Sequence, residues 1–136
     1  MDHMSIIVRS FRNFTEKKLR EFDLTHGEQV IIMFLSSHEN VNQDTISKTY
    51  MIDKGMVAKT LNKLEQKGCI LRQQNPENKR ENIITLTQKG VDMLINMHAI
   101  YKEWNEILHE GITKEDIAYV KSMTNRMVEN VANYLN

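Results

Sequence analysis

The sequence predicts a mainly α-helical chain that carries one small β-hairpin. Three observations lead there. Apolar residues recur at helical spacing through most of the chain. Side chains suited to capping a helix, Thr25, Asp53, Thr87 and Thr113, each stand just ahead of such a stretch. Two short apolar runs, Cys69-Ile70-Leu71 and Ile83-Ile84-Thr85-Leu86, bracket a polar segment that contains Pro76, the only proline. A length of 136 residues suits one domain, and no repeat or low-complexity linker interrupts it.

Taken in order, residues 4–22 place Ile7, Phe11 and Phe14 on one side of an amphipathic helix that needs a partner surface. Thr25 with Glu28 three residues on has the spacing of a capping box, and Val30-Ile31-Ile32-Met33-Phe34-Leu35 makes the helix that follows a buried one. Residues 42–51 form a short third helix, and Asp53 caps a fourth. At about 100° per residue, Val57, Leu61 and Leu64 of that helix share one face, while Gly55, Lys59, Asn62, Lys63 and Gln66 occupy the other. Gly68 stops it, and the hairpin follows with a long charged tip expected over Asn75–Arg80. Thr87 opens a helix reaching about residue 109 with two apolar stripes, one through Met93, Met97, Ile100, Trp104 and Ile107, the other through Val91, Leu94, Ile95, His98 and Tyr101. Thr113 with Asp116 resembles a capping box for a last helix carrying Ile117, Val120, Met123, Met127, Val131 and Tyr134.

The formal net charge is zero, which taken alone argues against a polyanionic partner. The distribution reverses that inference. Residues 1–47 hold five basic and seven acidic groups, and residues 81–136 hold five and eight. Between them Lys48, Lys54, Lys59, Lys63, Lys67, Arg72, Lys79 and Arg80 face only Asp53, Glu65 and Glu77, so the middle carries eight minus three, or +5. No apolar run is long enough to span a bilayer and no secretory leader is visible, so a cytoplasmic location is expected, with no membrane partner. Cys69, the single cysteine, fits a reducing compartment and opens a strand among apolar neighbours, which argues for an inert buried thiol rather than a redox sensor. His3, His26, His38, His98 and His109 lack paired ligand spacing, so neither a metal nor another cofactor is expected. The chain also lacks a phosphate-cradling glycine loop and a nucleophile elbow, so it is not expected to be an enzyme.

Short helix, turn, basic helix and hairpin is the order of a winged helix-turn-helix. The sequence resembles the MarR family of bacterial and archaeal regulators over nearly its whole length. Leu24-Thr25-His26-Gly27-Glu28-Gln29 is similar to the Leu-Thr-x-x-x-Gln opening of the family's second helix. Asp53-Lys54-Gly55-Met56-Val57-Ala58-Lys59 is similar to the start of its recognition helix, and Leu64-Glu65-Gln66-Lys67-Gly68 to that helix's ending. Asn75 through Gly90 is similar to its wing and to the Leu-Thr-x-x-Gly exit. One departure stands out: where the wing usually carries Asp-x-Arg, this chain has Asn78-Lys79-Arg80, so an amide replaces the carboxylate expected to orient the arginine.

The resemblance implies a DNA-binding transcriptional regulator, more often a repressor, with residues 24–90 as the DNA-binding module. Residues 1–23 and 91–136 would form a homodimer on a pseudo-palindromic duplex. It places Arg80 in the minor groove, Gly55, Met56, Lys59 and Lys63 in or over the major groove, and Lys54 and Lys79 on phosphates, with Asn78 beside them. It further implies a small phenolic or lipophilic effector, for which Phe11, Phe14, Phe34 and Tyr101 are the candidate lining against the alternative of ordinary core packing. The rival reading is a winged helix that binds protein and not DNA.

Overall fold

Each helix begins where a side chain satisfies its first free amides. In the computed structural model, which describes residues 2–135, Asp2 Oδ1 accepts from Met4 N at 2.8 Å and opens α1 (His3–Leu19), which runs into a 3-10 turn (Arg20–Phe22). Thr25 and Glu28 form the reciprocal capping box of α2 (His26–Ser37), both bonds being 3.2 Å. Asn42 Oδ1 accepts from Thr45 N at 2.8 Å and caps α3 (Gln43–Tyr50), and Asp53 Oδ1 accepts from Met56 N at 3.1 Å and caps α4 (Lys54–Gln66). Between α3 and α4, Met51 takes a left-handed conformation with φ 53°.

Helix α4 ends as its sequence dictates. Gly68 adopts φ +73°, Gly68 N donates to Glu65 O at 3.0 Å and Cys69 N to Leu64 O at 2.9 Å, the paired bonds of a Schellman stop. The chain turns directly into β1 (Ile70–Asn75), which pairs antiparallel with β2 (Asn78–Leu86) in register from Ile70 opposite Leu86 to Gln74 opposite Asn82. A single bridge between Val41 and Ile84, with Ile84 N donating to Val41 O at 2.8 Å, fastens the hairpin to the segment before α3.

The hairpin corrects one expectation. The long charged tip over Asn75–Arg80 is absent: the strands reach almost to the end and only Pro76 and Glu77 lie between them, so Asn78, Lys79 and Arg80 belong to β2. The apolar runs stop early because the outer hairpin is solvated, which removes the alternation that marks a half-buried strand. Side-chain amides hold it instead: Asn75 Oδ1 accepts from Glu77 N at 3.0 Å, and Gln74 Nε2 donates to Lys79 O at 2.8 Å.

The hairpin base meets α5 (Gln88–Leu108) at a tight crossing. Thr87 N donates to Cys69 O at 3.0 Å, Thr87 Oγ1 donates to Gly68 O at 2.6 Å and accepts from Gly90 N at 3.2 Å. A Cβ on Gly90 would lie 2.3 Å from Cys69 O, so the Leu-Thr-x-x-Gly segment is explained by backbone packed on backbone.

The described residues form two compact units that divide after Tyr101. In the first, Leu19, Ile32, Ile46, Val57, Leu61, Leu64, Ile70 and Met97 are buried at the centre. Burying each such side chain contributes roughly 1.5–3 kcal/mol. Only part of the double stripe on α5 reaches this core: Met97 and Ile100 are buried, while Val91 and Ile95 are exposed. The second unit contains α6 (Lys114–Leu135), where Asp116 N donates to Thr113 Oγ1 at 3.1 Å and the threonine hydroxyl donates to Asp116 Oδ2 at 2.9 Å. No described residue of α6 is buried.

Candidate nucleic-acid interface

The surface formed by α3, α4 and the hairpin is set by three braces. Inside the helical turn, Ser47 Oγ donates to Ile52 O at 2.6 Å and Ile52 N to Ser47 O at 3.1 Å, which holds the two helices as a unit over Ile46, Val57 and Leu61. Between α4 and α2, Lys67 Nζ donates to Glu28 Oε2 at 2.8 Å and to Asp23 O at 2.5 Å. The Glu28 side chain is only 1% exposed, so this ammonium is what permits a carboxylate there. Between α4 and the hairpin, Arg72 of β1 donates to Glu65 Oε2 at 3.0 Å and also to Asn62 Oδ1. Helix and hairpin are thereby held side by side.

These braces divide the eight cations of the middle segment. Lys67 and Arg72 are engaged in structural bonds, and Lys54 pairs with Asp44 at 3.1 Å in an exposed bridge. Among the described residues, Lys48 on α3 and Lys59, Lys63, Lys79 and Arg80 on α4 and β2 form no ion pair and all are exposed. Gly55 and Met56 lie exposed in the first turn of α4, with Met56 60% accessible. The residues of the predicted set therefore occupy α4 and β2, and Arg72 of β1, the strand paired with β2, ties the hairpin to α4.

Asn78 acts on the backbone of the strand. Its Oδ1 accepts from the backbone N of Arg80 at 3.2 Å, so it shapes the strand leaving the turn and does not hold the guanidinium. Sequence reasoning passed over Asn62, Glu65 and Arg72 as a brace, and passed over Asn42 and Glu81, whose side chains bond to each other across the gap between α3 and the hairpin. The two lie 39 residues apart, where local spacing carries no signal.

Residues 24–82 match the model of the MarR family, a stretch that runs from buried Leu24, ahead of α2, to the middle of β2 and contains every brace just described apart from the Asp23 end of the Lys67 bonds. Residues 24–82 thus form a MarR-family domain. It is 28% identical over 116 residues to the HTH-type transcriptional regulator BilQ of Clostridioides difficile, covering 85% of this chain and 78% of that one. A MarR transcriptional regulator from Methanosarcina mazei Go1 superposes with a TM-score of 0.90 at 27% identity, over 96% of this chain and 94% of the other. The Staphylococcus aureus MepR–DNA complex superposes with a TM-score of 0.84 at 22% identity, over 93% and 94%, which shows a shared fold.

Within this MarR-family fold, ring contacts surround Phe11, Phe34 and Tyr101 of the candidate effector set. Phe11 lies 5.5 Å from Tyr101 between ring centroids and meets His26 edge-on at 5.8 Å. Phe34 is 2% exposed in the core, stacked on His38 at 4.0 Å with Tyr50 edge-on at 5.5 Å. Phe14 is half-buried, with the Lys18 ammonium 5.5 Å from its ring. Burial pushes the Tyr101 phenol up, with Tyr50 adding to the shift, and burial together with the Arg12 charge pushes the His26 imidazole down, so both rings are held neutral near pH 7. Cys69 is buried, Sγ lies 3.9 Å from Met93 Sδ, and burial raises its thiol. Among the described residues no group of three or more His, Cys, Asp or Glu is placed to hold a metal ion, and no helix is long and apolar enough to cross a membrane.

Proposed function

We propose that this regulator binds double-stranded DNA sequence-specifically as a homodimer, on a pseudo-palindromic operator where it acts as a repressor. Helix α4 enters the major groove with Gly55, Met56, Lys59 and Lys63, and the hairpin is a wing whose Arg80 enters the minor groove. Lys79 meets phosphate, and Lys54 exchanges its exposed bond to Asp44 for one. The observation that carries this reading is the set of unpaired cations at Lys59, Lys63, Lys79 and Arg80 on α4 and on a hairpin that Arg72 of β1 braces to it. In a protein of zero net charge, a local excess of cations on α4 and the hairpin favours a polyanion on that surface.

The homodimer follows from surface chemistry. Met4, Val8, Val120, Met127, Val128 and Val131 are exposed on α1 and α6, apolar area that a second copy covers. Residues 1–23 and 91–136 serve this association, and residues 24–90 serve DNA. A small phenolic or lipophilic molecule that stacks against the Phe11–Tyr101 pair is the proposed effector, releasing DNA by favouring one spacing of the two α4 helices.

Selection of bound sequences from random duplex DNA tests the central claim, with an inverted repeat as the expected product. On the selected duplex, Arg80→Ala is expected to weaken binding by roughly 1–3 kcal/mol while the dimer persists in sedimentation. Unchanged affinity at fixed salt removes Arg80 from the interface, and a monomer at micromolar concentration removes the two-fold arrangement. Release by small phenols in the same assay, lost on Tyr101→Ala, tests the effector.

A further inference from the structure

We infer that Glu81 is a positioning residue that clamps the wing to the N-terminus of α3 and so sets where Arg80 is presented; this rests on the DNA-binding reading above. The geometry is a carboxylate held between two amides. Glu81 Oε1 accepts from Asn42 Nδ2, and Glu81 Oε2 accepts from Asn75 Nδ2 at 3.2 Å. Neither amide is free to turn round. Asn42 Oδ1 is committed to Thr45 N and Thr45 Oγ1, both at 2.8 Å, as the cap of α3. Asn75 Oδ1 is committed to Glu77 N at 3.0 Å in the hairpin turn. Both asparagines therefore present their NH2 groups to the same side chain, which must accept at both oxygens.

A carboxylate side chain, with an acceptor oxygen for each amide, does this. A glutamine at 81 accepts at one oxygen and turns its own NH2 toward the second donor, so one bond is lost and a donor faces a donor. The clamp also bridges open space: Glu81 lines a cleft with Gln43, Arg72 and Arg80 on one side and a second with Asn40, Pro76 and Glu77 on the other. Behind it the Val41–Ile84 bridge fixes the hairpin by its backbone, and Glu81 fixes the half that lies beyond. With Asn78 spent on the Arg80 backbone, the arginine is aimed through the strand that carries it. A carboxylate adjacent to that arginine repels phosphate, so its presence on this surface calls for such a positive role.

The two roles predict opposite signs. Glu81→Gln removes a negative charge from a surface facing phosphate, so simple repulsion predicts tighter binding, whereas the clamp predicts binding weaker by about fivefold. Asn42→Ser keeps a capping oxygen for α3, removes the amide donor and changes no charge, and the same loss is expected. The double variant should bind no worse than the weaker single variant, because both remove one linkage. In the DNA-free protein, amide exchange over residues 78–81 should quicken by about fivefold in each variant, with the melting of α4 and the core unchanged. Equal or tighter binding by both single variants, or exchange that does not change, overturns the clamp. A wild-type protein that binds no duplex overturns the DNA reading instead, and the exchange measurement then still decides whether Glu81 orders the wing.

Discussion

The winged module and helix α6 both mix apolar with charged residues, yet they use them in opposite ways. In residues 24–90 nearly every apolar side chain of α2, α3 and α4 turns inward, and even charged groups are drawn into structural bonds, as Lys67 with Glu28 and Arg72 with Glu65 show. In α6 no described residue is buried, and Tyr119, Val120, Met127, Val128, Val131 and Tyr134 remain exposed. The first region satisfies itself and leaves a few cations over; the second leaves apolar surface over. What is left over differs in chemistry, and so do the partners it calls for: polyanion for one, a second apolar helix face for the other.

The most damaging break should come inside the self-satisfied region. Lys67→Ala leaves the Glu28 carboxylate buried without its ammonium and is expected to cost about 3 kcal/mol in urea unfolding. Gly90→Ala forces a methyl group onto the Cys69 carbonyl and should cost roughly 2 kcal/mol by the same measurement, with the hairpin base rather than α4 showing the perturbation in amide exchange.

A smaller effect is expected from acid. Burial and then the Arg12 charge depress the His26 pKa in the folded chain, so as pH falls through the unfolded value near 6.5 the unfolded chain takes up the proton first. More protons are bound unfolded than folded, and stability declines with falling pH until the lower folded value is reached. The urea midpoint of the wild type should therefore drop more between pH 7 and about 5.5 than that of His26→Asn; equal slopes would remove the histidine from the account.

The least effect on the chain's own fold is expected where nothing is buried. Val131→Asp should change the unfolding free energy of the monomer by no more than about 0.5 kcal/mol, while sedimentation shifts from dimer toward monomer. A large loss of monomer stability would mean that the contrast between the two regions has been drawn wrongly.

Local chemistry was legible in advance. Thr25 with Glu28, and Asp53, cap helices because their oxygens lie within one turn of the amides they accept from, and that relation is written in spacing alone. Gly68 and the Leu86-Thr87 exit were legible for the same reason. The outer hairpin was not: Arg72-Gln73-Gln74 carries no alternation because both of its faces are solvated, so the strand extends beyond its own signal.

The candidate interface divides along the same line. Periodicity placed Lys59 and Lys63 on the polar face of α4 opposite Val57, Leu61 and Leu64, since 3.6 residues per turn leaves little choice. Which of the eight cations stay free was decided by bonds spanning from 7 to 44 residues: Lys67 to Asp23 and Glu28, Arg72 to Glu65 and Asn62, Lys54 to Asp44. The order of residues thus determined the helices, their caps and the inward face of each. Only folding decided which charges are consumed, and that Asn42, Asn75 and Glu81 meet, because a pairing across tens of residues depends on where the intervening chain goes and leaves no mark in local spacing.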